Sequence, residues 1–375
     1  MQMVDLHNQY LKIRDEVEAA WAEVMDSGAF IRGKAVKEFE ENLSRYLGGS
    51  RVVTCGNGTD ALQIALMALD LHPGDEVITP PFTFIATAEV IALLGLKPVF
   101  VDVEERTFTL DVDKVEAAIT PRTKVILPVH LFGQCADMEP LLEIARRHNL
   151  YVVEDACQAI GATYTFSDGT VRMAGTMGHI GCTSFFPSKN LGCFGDGGAL
   201  FIQDEKLAGE AACIANHGSV QKYHHERIGI NSRLDSLQAA LLNVKLRYLD
   251  EYIRARQTAA AKYNQLLAGC DQLTVPQVAP HSTHVYHQYT LRLANSVDRV
   301  QVQAELKAAG IPSMVYYPVS LHLQPAFAFL GHQRGDFPVA EHLADTVLSL
   351  PMHTELTDEM QETVAKALLA AVNKG

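Results

Sequence analysis

The segment TSFFPSKNLG at residues 183–192, followed by GDGGALFI at residues 195–202, decides how the rest of the chain is interpreted. Residues 183–186 and 198–202 are apolar enough to form strands, and proline and glycine punctuate the turn between them. Because Lys189 lies in that turn rather than on an amphipathic helix, we predict that it projects into the protein. Desolvation of a lysine lowers its pKa and makes its amine nucleophilic. The alternative is an ordinary solvated surface lysine.

The chain on the N-terminal side of this segment predicts alternating strands and helices. Strands are predicted at residues 51–54, 76–79, 98–101, 124–128 and 151–154, and helices at residues 86–94 and 138–148. Strands separated by helices imply crossover connections and a mostly parallel central sheet flanked by helices, which is an α/β fold.

The chain beyond Asp235 predicts one long helix that leads into a smaller α+β unit. Strands are predicted at residues 285–293 and 313–316, and helices at residues 300–309, 338–349 and 357–372. We therefore expect a large domain over residues 1–250, whose N-terminal segment is free to pack with the small domain, and a small C-terminal domain over residues 251–375.

The composition excludes several classes of protein. The 375 residues carry 31 Lys and Arg against 44 Asp and Glu, a net charge of −13, which disfavours nucleic acid and membrane partners. Seven cysteines without CxxC spacing, and a charged N-terminal segment, favour a cytoplasmic protein. A metal hydrolase stays open because there are 15 histidines, but no HExxH framework accompanies His224-His225-Glu226. We expect no metal site there, and a surface loop or a substrate contact instead.

Three further segments are candidates for chemistry, each with a structural alternative. CGNGTD at residues 55–60 is a glycine turn whose backbone N–H groups could hold a phosphate, or a plain turn capped by Thr59 or Asp60. VVEDACQ at residues 152–158 places Asp155 at the end of an apolar strand, where it is either functional or a helix cap. The polar turn INSRLD at residues 230–235 could equally supply helix caps, through Ser232 or Asp235.

The segments together match the requirements of one cofactor, pyridoxal 5'-phosphate. It needs a phosphate cradle, a lysine for a Schiff base and a carboxylate that keeps the pyridine nitrogen protonated. Gly58 and Thr59, Lys189 and Asp155 supply these in turn. An aromatic residue beside the ring is also expected, and PFTF at residues 81–84 follows a predicted strand.

The chain resembles the DegT/StrS-type sugar-nucleotide aminotransferases, which are fold type I pyridoxal-phosphate enzymes. The motifs that carry the resemblance are CGNGTDAL, DEVITPPFTFIATA, VEDACQA, TSFFPSKNLGCFGDGGA and INSRLDSLQAA. The resemblance implies a homodimer with the active site at the subunit interface. It assigns the Schiff base and proton transfer to Lys189, the pyridinium contact to Asp155, the ring hydroxyl to Gln158, ring stacking to Phe84, and the phosphate to Gly58, Thr59, Ser184 and, from the neighbouring subunit, Asn231. Arg233, Tyr317 and His322 are the implied substrate contacts.

The resemblance also implies a reaction. Relatives that remove sugar hydroxyls carry His at the position of Lys189, so the lysine favours transamination. The expected substrate is UDP-2-acetamido-2-deoxy-3-oxo-glucuronate, with L-glutamate as amino donor, for cell-surface polysaccharide such as lipopolysaccharide O-antigen. The alternatives are a dTDP-3-oxo-6-deoxyhexose 3-aminotransferase and a non-catalytic regulatory protein that binds the cofactor. Tyr316 and Ser320 depart from the residues that many relatives carry near the sugar.

Overall fold

A computed structural model describes residues 1–373 of the chain. The last two residues of the expected small domain, 374–375, lie outside the described residues. The α-helices are α1 Leu6–Ser27, α2 Lys34–Tyr46, α3 Gly58–Ala68, α4 Ala86–Leu93, α5 Val112–Val115, α6 Met138–His148, α7 Glu205–Ile214, α8 Ser236–Leu246, α9 Leu249–Leu266, α10 Arg299–Ala308, α11 Pro338–Thr346 and α12 Asp358–Val372.

The strands form one large sheet and three small ones. They are β1 Arg51–Cys55, β2 Glu76–Thr79, β3 Lys97–Phe100, β4 Thr123–Ile126, β5 Tyr151–Asp155, β6 Thr163–Thr165, β7 Val171–Met173, β8 Ile180–Ser184, β9 Gly198–Ile202, β10 Ser219–Gln221, β11 His224–His225, β12 Leu273–Thr274, β13 Tyr289–Leu293 and β14 Val347–Leu350. The large sheet has seven strands in the order β1-β9-β8-β5-β4-β2-β3. Only β9 runs against its neighbours in this sheet. The predicted α/β fold with a mostly parallel sheet is confirmed.

Apolar residues on both faces of the large sheet explain why helices cover it on both sides. Successive strand residues point to opposite faces, so neighbouring apolar residues enter different cores. The core with α1, α2, α6 and α8 receives Val52, Ile78, Ile126 and Val152. The core with α3, α4 and α7 receives Val53, Val77, Val125 and Val153.

A second core lies around the antiparallel sheet β12-β13-β14 and the helices α9, α10 and α12. Helix α9 spans both regions, because Ile253 belongs to the first core and Tyr263 to the second. The N-terminal segment contacts the second region, where Met352 N–H donates to the Met3 carbonyl at 3.1 Å and Lys12 pairs with Glu355 at 2.7 Å. We propose the domain division near residue 250 on these grounds.

Four predicted elements of the second half are corrected by the structure. The long helix from Asp235 is broken into α8 and α9 around Arg247. The helix predicted at residues 338–349 ends at Thr346, because its last residues form β14 and pair with β13. The strand predicted at residues 285–293 begins only at Tyr289, and residues 313–316 form a single bridge from Met314 to Ser349. An apolar run buried on all sides carries no periodicity that separates helix from strand, so the available partner strand decides.

None of the helices α1 to α12 is both long enough and apolar enough to cross a membrane.

Candidate active site

The carboxyl ends of the parallel strands meet at one edge of the large sheet, and a cavity of about 420 Å³ lies there. The strand β5 ends at Asp155, β8 ends at Ser184, and the turn after β1 leads to Gly58. Of the residues predicted from the sequence, the cavity lining includes Gly58, Thr59, Phe84, Asp155, Gln158, Ser184, Lys189 and Tyr317. Segments far apart in the chain therefore converge on one site.

Asp155 is a buried carboxylate, 6% exposed, that has no cation within ion-pairing distance in the described part of the chain. Its Oδ2 accepts a hydrogen bond from Thr87 Oγ1 at 2.8 Å, and its Oδ1 accepts one from the Cys157 N–H at 3.2 Å. It does not cap a helix, which was the structural alternative. A buried carboxylate needs a compensating partner, and no protein cation among the described residues supplies one here. Asp155 is therefore suited to bind a cationic group of a ligand.

The neighbouring carboxylate, Glu154, differs from Asp155 in that protein donors occupy both of its oxygens. It accepts hydrogen bonds from the backbone N–H groups of Gly175, Met177 and Gly178 and lies 2.8 Å from His130 Nε2. Since His130 Nδ1 accepts from the Ala136 N–H, its Nε2 carries the proton and donates to Glu154. Glu154 is therefore saturated and structural, whereas Asp155 keeps lone pairs for a ligand.

The turn after β1 forms a close-fitting cradle at the start of α3. Asn57 caps the helix, since its side chain accepts from the Asp60 N–H at 2.8 Å, so neither Thr59 nor Asp60 is the cap. A Cβ added at Gly58 would lie 2.7 Å from Ser184 Cβ and 2.9 Å from Cys157 Sγ. The first N–H groups of a helix lack intrahelical partners and favour an anion. The cradle therefore fits a phosphate and requires glycine.

Ser232 holds this cradle from a distant segment. Its Oγ accepts from the Gly56 N–H at 2.8 Å and donates to Asp60 Oδ2 at 2.6 Å. The sequence indicated Ser232 or Asp235 as a helix cap, but Ser232 bonds the cradle and Asp235 makes no side-chain cap bond. The INSRLD segment therefore shapes the phosphate site.

Lys189 lies in the turn between β8 and β9 and lines the cavity, as predicted. Its Nζ lies 3.4 Å from His287 Nε2. Burial lowers the pKa of Lys189 below its ordinary value, and the nearby Cys157 and Asp155 oppose part of that effect. A lowered pKa keeps more of the amine unprotonated near neutral pH, the form that attacks a carbonyl.

The cavity is also lined by Gln158, Tyr317 and Phe84. Gln158 Nε2 donates to Tyr317 Oη at 3.0 Å, while Gln158 Oε1 accepts from the Phe132 N–H at 2.9 Å. The rings of Phe84 and Tyr317 are 6.1 Å apart, and Phe84 is 52% exposed. This leaves an aromatic face open to a planar ligand.

Three predicted site residues lie outside this lining. Asn231 is exposed and bridges to Asn216, and Arg233 makes no hydrogen bond or ion pair within residues 1–373. His322, the third, is an expected substrate contact. It is 2% exposed, and its two ring nitrogens lie 2.9 Å from Ser320 Oγ and from Glu341 Oε1. Its ring is therefore committed inside the protein.

Three structural observations indicate that the residues of this cavity fit pyridoxal phosphate. The Gly58 cradle is one that a Cβ would fill, and it lies where a phosphate would meet helix N–H groups. Asp155 is buried without a cationic partner, which suits a protonated pyridine nitrogen. Lys189 lines the same cavity with a lowered pKa.

The histidine cluster that raised the metal alternative lies on the surface. His224 and His225 form the exposed strand β11, and His225 Nδ1 lies 2.8 Å from the His217 carbonyl oxygen. Among residues 1–373, no three His, Cys, Asp or Glu side chains gather in a group that could hold a metal ion.

Comparison with known proteins shows which family this chain is similar to. The profile of the DegT/DnrJ/EryC1/StrS aminotransferase family matches residues 11–369. The chain is 46% identical, over 98% of its length and 99% of the relative, to the UDP-2-acetamido-2-deoxy-3-oxo-D-glucuronate aminotransferase of Pseudomonas aeruginosa. It is 48% identical, over 98% of its length and 97% of the relative, to the pleiotropic regulatory protein of Geobacillus stearothermophilus.

Solved structures agree with this assignment. DesV of S. venezuelae, in complex with a ketimine intermediate, superposes with a TM-score of 0.94 at 42% identity, over 98% of this chain and 97% of that one. NtdA of Bacillus subtilis, with bound cofactor PMP, superposes with a TM-score of 0.89 at 34% identity, over 99% of this chain and 83% of that one. The resemblance found in the motifs is thus confirmed along the chain, which belongs to the DegT/DnrJ/EryC1/StrS aminotransferase family.

Proposed function

We propose that this chain is a pyridoxal-phosphate-dependent aminotransferase that converts a nucleotide-linked 3-ketosugar into the 3-amino sugar. The observation that carries the proposal is the convergence of Lys189, Asp155 and the Gly58 cradle on one cavity. The similarity to the Pseudomonas aeruginosa enzyme makes UDP-2-acetamido-2-deoxy-3-oxo-D-glucuronate the first substrate to test, with L-glutamate as amino donor.

Bound pyridoxal phosphate supplies a carbonyl that condenses with amines and a ring that accepts electrons. Gly58, Thr59 and Ser184 would hold its phosphate through backbone N–H groups and a hydroxyl. The Asp155 carboxylate would keep the ring nitrogen protonated, and Thr87 orients that carboxylate through its 2.8 Å hydrogen bond. Phe84 would supply an aromatic surface beside the ring.

Lys189 is the group that moves the proton during transfer. With the cofactor bound, Lys189 Nζ would take the proton from the α-carbon of glutamate and deliver it to the cofactor carbon that receives the amino group. With the ketosugar bound, the same amine would carry the proton in the reverse direction, from the cofactor carbon to C3 of the sugar. A positioned base of this kind contributes about 10²–10⁴-fold to the rate. Its lowered pKa keeps the amine available as the base.

The cavity is short of cations for such substrates. Its lining contains Lys189 as the single lysine or arginine, together with the carboxylates of Asp155 and Asp196. A diphosphate, a sugar carboxylate and the carboxylates of glutamate all need positive partners. We propose that a second copy completes the site in a homodimer, in which Arg233 brings a positive charge and Asn231 brings a neutral amide donor into the partner's cavity.

The surface around these residues supports the dimer. Val220, Tyr223 and Ile228 lie on the segment that leads to Asn231, and their side chains are 72%, 81% and 86% exposed. Exposed apolar side chains grouped beside polar residues are typical of an interface.

Mixing two inactive variants tests the shared site. Lys189→Ala and Asn231→Ala subunits combined in a mixed dimer regenerate one intact site if Asn231 acts across the interface. Random mixing then restores about a quarter of the wild-type activity, because half of the dimers are mixed and each has one good site of two. Activity that stays at the level of the separate variants contradicts the shared site.

The substrate is tested with a panel of UDP- and dTDP-linked 3-ketosugars and glutamate, followed by formation of 2-oxoglutarate. The YHH and LHLQPAF segments at residues 223–225 and 321–327 resemble those of family members that act on dTDP-3-oxo-6-deoxyhexoses, so such a sugar is the second candidate. Turnover of a 4-ketosugar alone overturns the proposed 3-aminotransferase activity.

The name of the Geobacillus stearothermophilus relative favours one further candidate, a regulatory protein that keeps the cofactor without turnover. Addition of glutamate separates the two functions, because a transaminase converts the visible absorbance of the bound cofactor and a binding protein leaves it unchanged. We place the protein in the cytoplasm, in the supply of amino sugars for cell-surface polysaccharide. All seven cysteines are free thiols, which suits a reducing compartment.

A further inference from the structure

His287 lies directly against the reactive amine. Its Nε2 is 3.4 Å from Lys189 Nζ, it lines the cavity, and it is only 5% exposed. Its other nitrogen, Nδ1, makes no hydrogen bond within residues 1–373. A buried polar atom without a partner costs free energy, so its presence beside the amine calls for an explanation.

The surroundings of His287 favour the neutral form of its ring. Burial lowers its pKa well below the ordinary value, and the charges of Lys189 and Arg256 lower it further. A carboxylate at the same place would stabilise the ammonium form of Lys189 and raise its pKa. A neutral imidazole accepts a hydrogen bond without adding negative charge, so it can hold the amine and leave it basic.

The backbone of His287 is fixed by a buried arginine from α9. Arg256 Nη1 donates to the carbonyl oxygens of Tyr286 at 3.1 Å, His287 at 3.3 Å and Met352 at 3.1 Å. Gln288 Nε2 lies 3.5 Å from the same ring nitrogen that faces Lys189, slightly farther than the 3.4 Å of Lys189 Nζ. The contacts of Arg256 therefore hold the backbone that carries the imidazole.

We propose that His287 is a positioning residue for Lys189. Its Nε2 accepts a hydrogen bond from the free amine, so that the lone pair of Lys189 faces the reacting carbon. His287 neither gains nor loses a proton, and Lys189 keeps the proton-transfer role. The inference rests on the proposed transamination and deepens it.

A matched pair of amides tests the inference. In His287→Gln the amide group reaches the position of Nε2, and in His287→Asn it reaches only that of Nδ1. We expect the glutamine variant to keep kcat within about threefold of wild type, and the asparagine variant to lose about ten- to a hundredfold with KM unchanged. His284→Asn is the control, because His284 is also buried but its Nδ1 accepts from the Tyr286 N–H at 2.9 Å outside the cavity lining.

The second readout is the rate at which the cofactor-free full chain captures pyridoxal phosphate, followed by visible absorbance across pH. The limiting rate at high pH should fall about tenfold in His287→Asn and stay near wild type in His287→Gln and His284→Asn. Equal rates in all four proteins refute the positioning role. A wild-type chain that captures no cofactor refutes the proposed function and the inference with it.

A measurement on the wild-type chain covers the case in which His287→Asn fails to fold. In ¹⁵N-labelled cofactor-free protein, the His287 Nε2 resonance should be that of an unprotonated nitrogen, since it acts as acceptor. A protonated Nε2 overturns the inference.

Discussion

Substitution of Thr87 by valine tests whether Asp155 is held ready for a cationic ligand. The hydroxyl of Thr87 is fully buried and donates to Asp155 Oδ2 at 2.8 Å, one of two hydrogen bonds that this carboxylate accepts. Valine keeps the shape and removes this donor, so the buried charge keeps a single partner. The substitution also removes the 3.1 Å hydrogen bond between the hydroxyls of Thr83 and Thr87.

The expected loss of unfolding free energy depends on whether the acceptor of the lost hydrogen bond is charged. A hydrogen bond to a charged group contributes about 1.5–3 kcal/mol, against about 0.5–1.5 kcal/mol for a neutral one. Thr79→Val is the matched control, because Thr79 is equally buried and donates at 2.9 Å to the uncharged carbonyl of Leu127. We expect Thr87→Val to lower the free energy of unfolding by about 1 kcal/mol more than Thr79→Val.

Urea unfolding of the cofactor-free protein measures the difference. The single tryptophan, Trp21, reports on the large core, since its indole N–H donates to the Leu237 carbonyl. Saturation with pyridoxal phosphate should narrow the gap between the two variants, because the protonated ring nitrogen then compensates the carboxylate. Equal destabilisation by both substitutions, or a gap unchanged by the cofactor, refutes the reasoning.

Three further predictions concern the cradle and the pH dependence. Gly58→Ala should weaken cofactor binding at least about tenfold by absorbance titration, since overpacking costs about 1–3 kcal/mol, whereas Gly209→Ala, with no atom within 4 Å of its added Cβ, should bind normally. Ser232→Ala should weaken cofactor binding about tenfold, while Ser236→Ala, equally buried and also bonded to a glycine N–H, should change stability alone. Burial lowers the pKa of His353 to about 4, so the free energy of unfolding should fall as pH drops from the unfolded value near 6.5 toward 4. His353→Asn should make that decline shallower by up to about 1.4 kcal/mol per pH unit, and an unchanged slope contradicts the assignment.

The sequence predicted correctly those helices and strands whose ends are marked by nearby residues. Helix α6 and strands β2 and β9 have the predicted bounds, because turns and apolar periodicity delimit them. The predicted helix at residues 338–349 was wrong at its end, where an apolar run without a distinguishing period pairs with β13 as a strand. The local pattern of residues 338–349 gives no information on the partner strand β13, which is distant in the sequence.

The candidate site likewise combines features set by local sequence with contacts set by distant parts of the chain. The sequence alone determined the turn of Lys189, the carboxylate at the end of β5 and the glycine cradle, because the backbone and strand geometry of each is set by adjacent residues. Only the tertiary structure decided that Thr87 bonds Asp155 across 68 positions, that Ser232 bonds Asp60 across 172, and that His287 meets Lys189 across 98. It also placed His322 in a buried pair with Glu341. These contacts depend on how the chain returns to one edge of the sheet, and packing of the whole chain determines that path.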